Sequence, residues 1–140
     1  IQGFSNKQHD GFLGHSYVGE WVNLGANTNT SDLKNNYSKV KVFTKKDDFI
    51  DTNKMFIGSI IGDFTRTAIG TKLNTGTYIG VGSNLFDDGF QDKFVPSFSW
   101  GKNDRIGLNR FIKSIDKAMN RRNCKMPDTL KNRIIAIYKK

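Results

Sequence analysis

Few side chains in this chain are suited to chemistry. His9 and His15 are its two histidines, and Cys124 is its one cysteine. Imidazole titrates near neutrality, so it can take a proton from an amine or hydroxyl that attacks an acyl carbonyl. His9 is the candidate general base, with Asp10 and the adjoining backbone available to orient it. A zinc site generally needs three or four ligands, and two histidines do not supply them, so no metal is expected. Cys124 stands far along the chain from both histidines, in a basic stretch, and reads as a packed or exposed thiol. The paired carboxylates Asp47–Asp48 and Asp87–Asp88 read as solvated turns. No GxxxxGK[ST] phosphate loop is present, so nucleotide hydrolysis has no local support.

The elements that would position these groups follow from a six-residue period. Phe12, Val18, Leu24 and Thr30 are each six apart, and so are Met55, Ile61, Thr67, Leu73, Ile79 and Leu85. Four positions after most of these anchors comes a small or β-branched residue: Val22, Thr28, Thr65, Thr71, Thr77 and Ser83. Six is neither the helical period nor simple alternation, so it indicates a repeat of short strands joined by sharp corners. The anchor fills a thin core, a small residue fits beside it, and glycines such as Gly19, Gly25, Gly62 and Gly80 permit tight turns. This hexapeptide pattern resembles the left-handed parallel β-helix. The expected class is therefore all-β, with an inserted hairpin loop and a C-terminal α-helical tail.

The expected organisation is a β-helix domain over 1–101 and a basic helical extension over 102–140. Within the first, residues 31–54 break the period and read as an inserted hairpin. Residues 86–101, FDDGFQDKFVPSFSWG, read as an aromatic loop that caps the end of the repeat. An amphipathic helix is predicted over roughly 104–122, capped by Asn103 or Asp104 and carrying Leu108, Phe111, Ile112, Ile115, Ala118 and Met119 on one side. A second, shorter helix is predicted after Pro127.

Charge is distributed unevenly along the chain. The formal net charge is +9, and residues 1–101 balance ten Lys and Arg against ten Asp and Glu, so the excess lies in 102–140. A basic tail can attract phosphate, nucleic acid or an anionic membrane. Its helices lack the aromatic interleaving of single-strand binders, so nucleic acid is not an expected partner and the tail reads as a solvated helix face. No apolar run is long enough to cross a bilayer, and no membrane partner is expected. A single cysteine fits a reducing compartment, so the expected location is cytoplasmic. The chain begins at Ile1 without a methionine, which suggests that an upstream part is missing.

The stretch HDGFLGHSYVGEWVNLGANTNTSDLKNNY resembles the acetyltransferase half of the bifunctional family that makes UDP-N-acetylglucosamine. More narrowly, FVPSFSWG with the basic tail is similar to sugar nucleotidyltransferase-like proteins of Bacteroidetes. The resemblance implies an acetyl-CoA-dependent N-acetyltransferase acting on an amino-sugar phosphate, glucosamine 1-phosphate above all, as part of a larger nucleotidyltransferase. It implies a homotrimer with sites between neighbouring copies, acetyl-CoA as donor, and Mg2+ only in the missing nucleotidyl-transfer domain. By position, His9 falls on the family's catalytic base. Phe12 and Asn23 fall on acceptor contacts, and Ala26, Ser59 and Thr77 on the donor site. Asp32 and Leu33 stand where the family has an asparagine–tyrosine pair. The alternative is a non-catalytic trimerisation or regulatory domain of a sugar-1-phosphate nucleotidyltransferase.

Overall fold

The six-residue spacing marks both the interior and the corners of the protein. Val18, Leu24, Ile61, Leu73, Ile79 and Leu85 are fully buried and form one cluster with Val22 and Val95. Between them, His15, Trp21 and Asn27, then Phe64, Gly70, Gly76 and Gly82, hold positive φ of 42° to 75°. Each such residue reverses the chain sharply. Glycine takes this conformation freely, whereas a side chain there costs about 1–2 kcal/mol. At Gly76 a second constraint applies, because a Cβ would strike the carbonyl of Lys41.

The computed structural model describes residues 1–140. The strands are β1 (Tyr17–Val18), β2 (Asn29–Thr30), β3 (Lys41–Lys45), β4 (Asp48–Asp51), β5 (Ile60–Ile61), β6 (Arg66–Thr67), β7 (Lys72–Leu73), β8 (Tyr78–Ile79), β9 (Asn84–Leu85), β10 (Phe94–Val95), β11 (Ser99–Trp100) and β12 (Asp104–Arg105). They form sheets in the orders β1-β5-β8-β10, β12-β11-β9-β6, β2-β7 and β3-β4. Pairing is parallel from β1 through β5 and β8 to β10, with Val18 opposite Ile61, Ile61 opposite Ile79 and Ile79 opposite Val95. One apolar residue thus stacks on the next. Each such burial contributes about 1.5–3 kcal/mol.

The small residues have a specific task beside these anchors. Thr71, Thr77 and Ser83 are buried, and their hydroxyls donate to the carbonyls of Ala68, Asn74 and Gly80, each three residues back. A narrow interior cannot leave carbonyls of tight turns without donors, and a short hydroxylated side chain supplies one locally.

These pairings correct the expected all-β left-handed parallel β-helix of hexapeptide repeats, because the strands do not form one continuous coil. Twelve short strands are divided among four small sheets, one of them an antiparallel hairpin, and two helices follow. The excursion between β2 and β5 separates Tyr17–Val18 in sequence from their partners Ile60–Ile61, and strands of two residues give short ladders. The period also fails at its edges, since Phe12 and Met55 are exposed.

Within the excursion, β3 and β4 pair Val42 with Ile50 and Phe43 with Phe49. Val40 and Val42 are buried, while β4 is exposed along its length. Residues 86–101, expected as a loop, carry β10 and β11, and Phe98 is fully buried there.

The chain divides into units Ile1–Asp104 and Arg105–Lys140. In the second, α1 (Leu108–Asn120) buries Phe111, Ile115 and Met119, and α2 (Asp128–Tyr138) buries Ile134. Helix α1 starts later than 104, and neither Asn103 nor Asp104 caps it. Asp104 and Arg105 are already extended in β12, and the N-cap is Gly107 without a side-chain bond. Arg105 ties the unit together, donating to the carbonyl of Tyr138 at 2.7 Å while lying 4.0 Å over its ring. Neither helix is long and apolar enough to cross a membrane.

Candidate active site around His15

The excursion leaves and returns beside one histidine. Asp32 stands just after β2, and its backbone carbonyl accepts the Ile57 N–H at 2.9 Å, on the returning segment. The next residue, Gly58, donates its N–H to the carbonyl of His15, also at 2.9 Å. Consecutive residues 57 and 58 therefore hold both backbones, and they bring the His15 Nδ1 to 2.7 Å from Asp32 Oδ2. The imidazole is 59% exposed and the carboxylate side chain 16%.

A carboxylate only accepts hydrogen bonds, so a neutral His15 donates Nδ1–H to Asp32 and keeps its lone pair on Nε2. This is the arrangement of an oriented base: one nitrogen held, the other available. The left-handed φ of 42° at His15 places the residue at a corner of the stack.

The surroundings are tightly fitted. A Cβ on Gly14 would strike the Phe12 ring and lie 2.5 Å from Asp32 Oδ2. A Cβ on Gly58 would strike the Gly14 carbonyl and Ser16 Oγ. The Ser16 hydroxyl donates to the Gly14 carbonyl at 2.7 Å and accepts the Ser59 N–H at 2.8 Å. The Phe56 ring lies 5.4 Å from the imidazole, tilted by 38°.

The residues singled out from sequence fall in several places. Phe12 and Ser59 are at the His15 corner, though Ser59 is fully buried with its hydroxyl unpaired. Thr77 lies one layer from Ser59, its carbonyl accepting the Ile60 N–H at 2.8 Å. His9 is exposed, and its carbonyl accepts from Lys7 Nζ at 2.5 Å. Neighbouring Asp10 accepts the Asn27 N–H through its carbonyl, which puts His9 and Ala26 at another corner. Asn23 stands between Asn6 and Arg66 on a different face. Burial holds the Arg66 guanidinium pKa below its ordinary value. No group of three or more His, Cys, Asp or Glu is gathered that could hold a metal ion.

Asp32 is the residue that sequence reasoning missed as His15's partner. A signal existed. The pair is seventeen residues apart, the separation that also joins Phe12 to Asn29 and Asn6 to Asn23 across adjacent layers.

No protein-family profile matches the chain. Among curated proteins, the bifunctional protein GlmU of Methanococcus aeolicus is 31% identical over 97 residues, covering 65% of this chain and 23% of that protein. Over that stretch the chain is similar to GlmU. It spans about a quarter of the length of that relative. The match lends no support to the narrower likeness to Bacteroidetes proteins.

Proposed function

We propose that the chain is part of an acetyl-CoA-dependent N-acetyltransferase acting on an amino sugar, with His15 as general base and Asp32 as the group that orients it. The observation that carries this reading is the 2.7 Å contact between a half-exposed imidazole and a largely buried carboxylate. The likeness to GlmU supports a transferase at a coarse level.

The reaction uses His15 as follows. Nε2 takes a proton from the acceptor amine as its nitrogen attacks the thioester carbonyl. The C–N bond forms, the C–S bond breaks, and the proton passes from the imidazolium to the departing CoA thiolate. Asp32 holds the tautomer and stabilises the imidazolium while it lasts.

The resemblance to the UDP-N-acetylglucosamine family supplies the rest of the reading. Glucosamine 1-phosphate is the acceptor it implies, with Phe12 and Asn23 as acceptor contacts and Ala26, Ser59 and Thr77 on the donor side. Because Asn23 and Ala26 lie away from the His15 corner of their own chain, a homotrimer would complete each site with a neighbour. Mg2+ would serve only a nucleotidyl-transfer part, and the setting would be cytoplasmic.

Release of free CoA thiol from acetyl-CoA, measured against a panel of amino sugars and their phosphates, tests the reading. Saturable release with an amine acceptor upholds it, and no release at millimolar donor contradicts it. Sedimentation equilibrium at three times the chain mass supports the trimer, whereas a monomer argues against it.

A further inference from the structure

His15 is a non-glycine residue at a left-handed corner, so its backbone conformation must be imposed by what surrounds it. The next residue supplies much of that constraint. The Ser16 hydroxyl donates back across the histidine to the Gly14 carbonyl at 2.7 Å and accepts the Ser59 N–H at 2.8 Å. On the other side of the same glycine, the Gly14 N–H donates to Thr30 Oγ1 at 3.1 Å, two residues before Asp32. One hydroxyl thus fastens the segment that carries the imidazole to the returning segment. Another fastens it to the segment that carries the carboxylate.

The Phe4 corner lacks this closure. Phe4 also has a left-handed φ, of 58°, and Ser5 follows it as Ser16 follows His15. The Ser5 hydroxyl likewise accepts an N–H from the adjoining layer, that of Val22 at 2.9 Å. Its own proton goes to the Gly19 carbonyl in that layer at 2.6 Å, not back across the corner residue. At the His15 corner the bond closes over the histidine's own backbone and so sets the direction in which its side chain leaves the chain.

We infer that Ser16 is a positioning residue for the base, its hydroxyl holding the His15 backbone at the angle from which Nδ1 meets Asp32. The inference deepens the acyl-transfer reading above and rests on it for the role of the imidazole. While the 2.7 Å contact lasts, Nδ1 carries the proton and Nε2 offers its lone pair. When the corner relaxes, the carboxylate no longer selects that tautomer. The ring then spends part of its time with the proton on Nε2, where that nitrogen cannot act as base. Ser16 acts through His15 and needs no contact with substrate.

The test is imidazole nitrogen NMR at a pH where the rings are neutral, with His9→Ala to assign the His15 signals. The parent is expected to show the Nδ1–H form of His15. Ser16→Ala is expected to move it towards the Nε2–H form and to lower kcat by about tenfold or more, with KM within about twofold. Ser16→Thr retains the hydroxyl and is expected to keep both the tautomer and turnover, since Thr65 occupies the same place after the left-handed Phe64. Ser5→Ala deletes the matched hydroxyl at a corner without a base. It is expected to lower the melting temperature and to leave the His15 tautomer and kcat unchanged. An Nε2–H form in the parent, an unmoved tautomer in Ser16→Ala, or a lost one in folded Ser16→Thr overturns the inference. So does a tautomer shift in Ser5→Ala as large as that in Ser16→Ala. The stated tautomer responses in a chain that consumes no acetyl-CoA uphold the positioning of His15 by Ser16 and overturn the acyl-transfer reading instead.

Discussion

The Gly58 N–H donates to the His15 carbonyl across 2.9 Å, joining two segments that the hairpin excursion separates in sequence. The Cα of Gly58 therefore lies so close to residue 14 that a methyl group would strike the Gly14 carbonyl, which is backbone and cannot swing aside. Gly58→Ala is expected to cost about 1–3 kcal/mol, as overpacking of a fitted interior does, and to separate His15 from Asp32. Denaturant unfolding reads the first effect. The second appears as a loss of the His15 dependence of turnover.

Gly14→Ala tests a gentler conflict. Its Cβ would meet the ends of two side chains, Phe12 and Asp32, which can move. The fold is expected to survive with little change in midpoint, while displacement of the Asp32 carboxylate lowers kcat. A variant whose His15 imidazole NMR shift changes while kcat stays normal would show that Asp32 does not orient the base.

The stacked interior predicts a sharp contrast between two isoleucines. Ile79 is 0% exposed, between Ile61 and Val95 in register, whereas Ile69 is 80% exposed. Ile79→Ala is expected to destabilise by about 2–5 kcal/mol through lost burial and a residual cavity. Ile69→Ala should stay within about 0.5 kcal/mol of the parent. Thermal melts of the two variants check this.

Burial, and secondarily the nearby Lys34 charge, hold the Lys93 pKa below its ordinary value of 10.5. The folded protein thus releases this proton at lower pH than the unfolded chain does. Between the folded pKa and 10.5 the unfolded state binds more protons, so the Lys93 contribution to stability rises with pH. Its penalty is full below the folded value and relieved above it. Lys93→Met is expected to be more stable than the parent near neutrality, with an advantage that shrinks as pH climbs towards 10.5. An advantage independent of pH would contradict the assignment.

Much of the interior was legible in the sequence, because a repeat of six places one anchor inward per turn. Val18, Leu24, Ile61, Leu73, Ile79 and Leu85 are all in the core. Met55 was misread because it adjoins the returning end of the excursion, and Phe12 because it is the first anchor of the first block and its ring lies against Gly14 instead of entering the core. The division into four sheets was not legible, since strand pairing depends on what the excursion leaves adjacent, which periodicity does not encode. The start of α1 was misplaced because a good capping residue, Asp104, is already committed to β12. The partnership of His15 with Asp32 was hidden for a related reason. Residues one layer apart are neighbours in space but distant in sequence, whereas Asp10 drew notice only by standing beside His9.

The central claim is that His15, held by Asp32, is the base. The most direct measurement is acetyl-CoA turnover by His15→Ala and His9→Ala, side by side, on the best acceptor of the panel. The account predicts a fall of about 10²–10⁴-fold in kcat for His15→Ala and kcat within a few-fold of the parent for His9→Ala. A large loss in His9→Ala with near-normal turnover in His15→Ala would contradict it.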